Sequence, residues 1–293
     1  MDNKPKAVLY MLISACAFAV MGAMVKLSGN VPVFEKVFFR NLVSLMMAYI
    51  MIKNSQSSFW GKRENRKLLL ARASLGLLGV VLYFYAISNL ILADSAMLNK
   101  LSPFFVTLFA ALFLKEKLSA IQIPALIVVF FGAMLIIKPQ FDLSILPAMA
   151  GAASAMTAGA AYTLVRYLKD REKPATIVFY FSFVSVVGMI PFVLLDFHMP
   201  TMTQLFFLIG TGVFAAVGQF ALTFAYKYAP AAEISIYNYF SILFSAVIGY
   251  LIWGEVPDGL SLLGGALVVA AAGLTFWYSN RKVKTQVAVS VEN

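Results

Sequence analysis

The sequence predicts an all-α membrane protein with ten transmembrane helices built as two inverted five-helix repeats. Three observations carry that expectation. The 293 residues are 61% hydrophobic and only 12% charged, with a mean hydropathy of +0.86, whereas a soluble domain is about a quarter charged. Ten apolar stretches, each near the ~20 residues a helix needs to cross the hydrocarbon core, follow one another along the chain. Finally, the chain matches itself at a fixed offset of close to half its length.

The ten stretches run over residues 7–27, 36–53, 68–90, 94–114, 119–137, 147–168, 175–195, 203–227, 230–253 and 259–279. Breaker signals separate them. They include the charged run from Lys62 to Lys67, the pair Lys138-Pro139, Lys169 to Pro174, His198 to Pro200, Pro230 and Pro257-Asp258-Gly259. The first stretch is longer than a cleavable signal core and ends in Lys26 without an A-x-A site, so it reads as a retained span. The single Cys16 excludes a disulfide framework or a cysteine metal cluster.

A net charge of +10 could suggest nucleic acid, but the positions of the charges argue otherwise. With the N-terminus in the cytoplasm, 18 of the 23 Lys and Arg fall in cytoplasmic segments, Arg72 among them, and only Lys26, Lys36 and Lys138 fall outside. Such an excess is an orientation signal. It places both termini in the cytoplasm, in a plasma or inner membrane, with no nucleic-acid partner. Arg40 and Lys100 remain inside spans two and four.

Residues 79–116 align with 218–255 at an offset of 139 without a gap. The pairs Gly79/Gly218, Asn99/Asn238, Ser102/Ser241 and Glu116/Glu255 are identical, and Asp94 faces Glu233. Spans one and six align at offset 140, pairing Ser14 with Ser154 and Lys26 with Arg166. The halves are therefore expected at 1–139 and 140–285, followed by a cytoplasmic tail, 286–293. Five spans per half is an odd number, so the second copy enters the membrane upside down. That is an alternating-access architecture with the substrate site at the repeat interface; a duplication that merely built a stable bundle is the other reading.

The chain resembles the ten-span EamA-type transporters of the drug/metabolite transporter superfamily. The resemblance rests on the five-plus-five layout, Val37-Phe38-Phe39-Arg40-Asn41 in span two, Ala96 to Pro103 in span four and Leu114-Lys115-Glu116-Lys117 after it. In the second half it rests on Trp253-Gly254-Glu255 and Leu263-Gly264-Gly265-Ala266-Leu267. It implies a central cavity lined mainly by spans three, four, eight and nine, and it is silent on substrate. Span nine has Ile242 where span four has Pro103, so a kink is expected in one half only.

Candidate site residues follow from the inner spans. A cation at membrane depth normally faces water or a partner; Arg40 and Lys100 sit about 6 and 9 Å below the outer starts of their spans, where together they could hold a carboxylate. Pairing with Glu35 or Asp94, or snorkelling to the interface, is the alternative. Asp94 and Glu233 are candidates for coupling or gating, or for capping their helices. Asn99 and Asn238 offer substrate hydrogen bonds or interhelical ones. Tyr83, Gln219, Tyr237 and Ser241 complete a polar and aromatic lining suited to an amphipathic metabolite. The glycine run of span ten would serve packing or a homodimer contact, with lipid covering the outer surface.

No catalytic, nucleotide-binding or metal-ligating motif appears, and His198 is the only histidine, so neither an enzyme nor a cofactor is expected. The expected function is a secondary-active carrier that exports a small metabolite, an amino acid or organic anion, by alternating access. A proton-coupled multidrug exporter is the alternative.

Overall fold

The computed structural model describes residues 4–116, 118, 120–138, 145–168, 171–229 and 234–292, with residue 227 and residues beyond 278 described by backbone alone. Glu233, Pro139, Pro230, Lys117 and Lys169 lie outside the described residues. Among those described, the chain is helical and has no strand. In lipid only a helix or a closed barrel satisfies its own backbone, so an apolar chain without strands must resolve into helices.

The elements are α1 (Lys4–Leu27), α2 (Val33–Ser55), α3 (Arg66–Asn89), α4 (Leu92–Asn99), α5 (Ser102–Phe113), α6 (Gln122–Ile137), α7 (Leu146–Leu168), α8 (Pro174–Leu195), α9 (Met202–Tyr228), α10 (Phe240–Trp253) and α11 (Gly259–Glu292). A short 3-10 turn, Ser235–Tyr239, leads into α10. Eight segments are long and apolar enough to cross a membrane, α4 with α5 and the 3-10 turn with α10 each making one. Helix α6 is shorter at 16 residues, and the 23-residue α2 carries Glu35, Lys36, Arg40 and Lys53 along its length.

Local chemistry sets the ends. Pro174 opens α8, where its missing N–H costs nothing. Thr201 accepts from the Gln204 N–H while the Gln204 side chain accepts from the Thr201 N–H, a reciprocal cap on α9. Gly254, at φ 67°, turns the chain at the end of α10, and the Glu255 N–H returns to the Gly249 carbonyl. The corresponding turn after α5 uses Lys115, at φ 56°, and the Glu116 N–H returns to the Ala110 carbonyl.

One expectation is corrected. The kink was expected only in span four, where Pro103 stands near the start of α5 and the helix breaks at Lys100 and Leu101. Span nine departs from α-geometry as well, without a proline, because Ser235–Tyr239 winds as a 3-10 turn. Tighter turns of this kind supply at a helix start what proline supplies elsewhere.

Packing comes in matched sets. The most extensive contacts join α1 to α9 and α3 to α7, α2 to α8, and α6 to α11. Smaller contacts join α5 to α7 and α1 to α10. Small residues permit the close approaches. Ser14 donates to the Gly218 carbonyl at 2.7 Å, while a Cβ on Gly79 would lie 3.4 Å from the Ser154 carbonyl oxygen. At the α6–α11 crossing a Cβ on Gly132 would stand 2.9 Å from the Gly264 oxygen. That part of the span-ten glycine run therefore packs within the chain.

Candidate functional site

Two polar clusters lie inside the bundle, and ion pairs stand at its ends, two of them between repeat-matched residues. The first cluster forms where the helix breaks meet. Lys100, released from α-geometry after α4, donates to Asn238 Oδ1 at 3.2 Å and sits 6.0 Å from the centre of the Tyr239 ring. Asn99 is half-buried beside it, and Ser241 is buried with its hydroxyl unpartnered among the described residues. Tyr237 stacks on Phe240 at 6.3 Å.

The second cluster gathers two arginines on one ring. Arg72 lies 4.2 Å and Arg40 5.6 Å from the centre of Phe181. The two guanidinium carbons are therefore no more than 9.8 Å apart, the sum of those distances. At an effective dielectric of about 20, such a pair repels by about 1.7 kcal/mol or more. Arg40 also donates to Asn41 Oδ1 at 2.7 Å. Buried nitrogens nevertheless lack partners among the described residues: Arg40 Nε, and Nε and Nη1 of Arg72.

Arg40 and Lys100 thus take different partners, and neither pairs with Glu35 or Asp94. Glu35 accepts from the His198 N–H at 2.5 Å. Asp94 is buried and accepts from the Ser261 hydroxyl at 3.1 Å. Nor does Asp94 cap α4. The Leu92 N–H donates instead to Glu255 Oε2 at 2.8 Å, because the Gly254 turn brings that carboxylate to the helix start. Tyr83 packs with Phe84 in an apolar cluster that includes Met21, Ile87 and Leu92. Gln219 is exposed, and its backbone carbonyl accepts from Thr223.

Lys26 and Glu255 form an ion pair whose side chains are 16% and 14% exposed. Lys26 donates as well to the Leu90 carbonyl at 2.8 Å and lies 5.2 Å from the Trp253 ring centre. One lysine thereby ties the end of α1 to the α3–α4 turn and to the end of α10. Close by, buried Lys36 donates to the Gly29 carbonyl at 2.9 Å and to Ser88 Oγ at 3.1 Å. The other pair, Arg166 with Glu116 at 2.8 Å, is open, at 54% and 39% exposed. It stands on the rim of a depression of about 680 Å³ lined by Phe113 to Glu116, Arg166, Tyr167 and Arg171. The four charged residues occupy matching positions of the sequence repeat, and the structure joins them crosswise, first half to second.

Sequence reasoning missed Arg72 and Phe181. Arg72 was counted among the cytoplasmic cations although it falls within the stretch 68–90, which was the available signal. Phe181 is one of 26 phenylalanines, and nothing in the pattern singles it out.

A bundle of apolar helices with a polar interior and charged pairs at its ends defines a multi-pass membrane protein of transporter type. The profile of the EamA-like transporter family matches residues 5–138 and again 145–277, and the chain belongs to that family. It is 36% identical over 274 residues to the pseudopaline exporter CntI of Pseudomonas aeruginosa, covering 92% of this chain and 96% of that one. It is 26% identical over 281 residues to a riboflavin transporter of Vibrio cholerae, covering 93% and 94%. A crystal structure shares the fold with a TM-score of 0.67 at 14% identity, over 95% of this chain and 99% of the other.

Proposed function

We propose that the protein is a secondary-active exporter of a small anionic or zwitterionic metabolite, an amino acid or organic acid, and that it works by alternating access. In this reading α2 and α6 also cross, which gives ten spans in two inverted halves with both termini in the cytoplasm of a plasma or inner membrane. The single observation that carries the proposal is the crosswise pairing of repeat-matched charges. Lys26 with Glu255 closes the outer end, and Arg166 with Glu116 stands at the inner end. In an inverted repeat the two pairs would be images of one another, one sealed and one open. An alternating-access carrier needs two such ends that trade states. Matching helix contacts and two successive family matches support the same symmetry. Export as the direction draws support from the exporter among the relatives.

Substrate charge follows from the interior. Arg40, Arg72 and Lys100 have no carboxylate partner among the described residues, and an uncompensated cationic interior attracts anions and repels cations. A multidrug exporter of cations working through Glu233 is the weaker reading for that reason.

Counterflow in proteoliposomes tests the proposal. The expected result is saturable uptake of labelled substrate, accelerated by unlabelled substrate on the opposite face and independent of nucleotide. Uptake that rises without saturation and shows no acceleration would describe a channel and remove the carrier reading.

A further inference from the structure

We propose that Arg40 and Arg72, set on the one ring of Phe181, form an anion clamp that takes a carboxylate group of the transported metabolite. The clamp deepens the carrier reading above and rests on it for the word transported, though not for binding.

The arrangement has the marks of a site waiting for a counter-charge. Helix α2 descends from the outer side, and Arg40 stands about 10 Å along it; α3 rises from the inner side, and Arg72 stands about 9 Å along it. Phe181, on α8, draws the two toward each other across the membrane's depth. An aromatic face attracts a cation but carries no net charge, so the ring orients the guanidiniums without neutralising them. A purely structural arginine in a membrane helix is expected to pair with a carboxylate or reach the interface. Here Arg40 finds one neutral amide oxygen, and Nε of each arginine with Nη1 of Arg72 finds no partner among the described residues. An arginine takes a carboxylate in two parallel hydrogen bonds through a planar fork, Nε with Nη2 or Nη1 with Nη2, and each idle nitrogen here is one arm of such a fork.

The neighbourhood is shaped to keep the fork in place. Gly76, one turn from Arg72 on α3, leaves room that a side chain would fill. A Cβ there would lie 3.0 Å from Phe181 Cε2 and 3.3 Å from Arg72 Nη1. Helices of both halves, α2 and α3 with α8, thus meet at the clamp. An anion bound there would be gripped by elements that must move relative to each other during transport. Carboxylate is favoured over a lone halide because the fork offers planar, paired donors.

Binding to the full-length protein in phosphatidylcholine nanodiscs tests the clamp. Citrate, glutamate and nitrilotriacetate would be titrated against the melting temperature, with glutamine and the triamide of citrate as neutral controls. The expected result is stabilisation by at least one carboxylate and by neither amide, with affinity falling roughly thirtyfold or more in Arg40→Gln and in Arg72→Gln. Arg72→Lys, which keeps the charge and loses the fork, should fall in between. Should the glutamine variants melt too early to titrate, Gly76→Ala serves in their place. It keeps both charges and crowds Phe181, and weaker carboxylate binding in it supports the clamp.

Equal carboxylate affinity in wild type and all the variants would overturn the clamp. So would stabilisation by neutral solutes alone, or an effect of phosphatidylglycerol that replaces citrate and vanishes in Arg72→Gln, which would assign the pair to a lipid headgroup. Counterflow separates this proposal from the carrier reading. Flux without clamp-dependent binding leaves the carrier and removes the clamp; clamp-dependent binding without flux does the reverse.

Discussion

The two ends of the bundle, which the proposed orientation makes outer and inner, are built from the same parts and hold them differently. Each has a basic residue near the end of a small-residue helix, Lys26 or Arg166, and each has a glutamate just past a left-handed turn, Glu255 or Glu116. At the Lys26 end the pair is largely shielded and tied into two further backbone groups; at the Arg166 end it is exposed beside an open depression. Even the turns differ. Gly254 takes its positive φ without strain, whereas Lys115 holds φ 56° at a cost of about 1 kcal/mol. Because the residues match, composition cannot explain the contrast. Under the proposed mechanism the contrast is between a closed end and an open one, and a carrier that alternates should carry it across to the other end.

The largest expected effect comes from breaking the sealed pair. Glu255→Gln leaves Lys26 buried without its counter-charge, a change that typically costs 3–5 kcal/mol. It also weakens the cap on α4 by replacing a carboxylate with a neutral amide. The melting temperature should fall by roughly 6–20 °C, taking about 2–4 °C per kcal/mol for a chain of this size. A thiol at Ser88→Cys should at the same time become reactive to an impermeant reagent added from outside. A protected thiol and an unchanged melt would mean that this contact does not close the outer end.

Breaking the open pair should do much less to stability. Exposed ion pairs contribute about 0–1 kcal/mol, so Glu116→Gln should move the melt by no more than about 4 °C. Its effect should appear in turnover, as a several-fold slower counterflow with little change in substrate affinity, if the inner pair must close in each cycle. Equal destabilisation by Glu116→Gln and Glu255→Gln would erase the comparison from which the carrier reading starts.

How much of this was legible beforehand depends on what each signal encodes. Helices are legible because lipid leaves a chain no cheaper way to satisfy its backbone, and the matched positions Glu116/Glu255 and Lys26/Arg166 were visible by alignment. That they pair crosswise was not, since alignment relates a residue to its counterpart and says nothing of its neighbour. Lys100 meeting Asn238 was half visible: both were singled out, but the break that lets the lysine reach the amide needs the geometry of two helices. Asp94 shows the converse. Its place at a helix start suggested a cap, yet a glutamate 161 positions away in sequence fills that role, because the Gly254 turn aims it there. Arg72 was missed because the loop count assigned it to water from sequence position alone, and Phe181 because one ring among many carries no pattern.

The smallest effect isolates one contact at the outer end that belongs to neither gate. Lys138, after α6, pairs with Asp258, before α11, at 2.5 Å, and Asp258 also accepts from the Ser261 N–H at 2.8 Å as the cap of α11. Its carboxyl is held below the ordinary value of 3.8, first by the hydrogen bond from Lys138 and then by that from the Ser261 backbone. A carboxyl depressed in the folded state stabilises the protein above its unfolded value, and the contribution is lost as pH falls through the folded one. Asn caps a helix about as well as Asp, so Asp258→Asn keeps the cap and removes only the ion pair. With the carboxylate exposed, the pair should contribute little: the variant should melt within about 2 °C of wild type at pH 7. The two melting curves should converge as pH is taken below about 4. A difference that persisted or widened in acid would show that Asp258 acts through something other than its charge. Transport at neutral pH should be unaffected, because this contact joins the end of α6 to the start of α11 and involves no residue of either cluster.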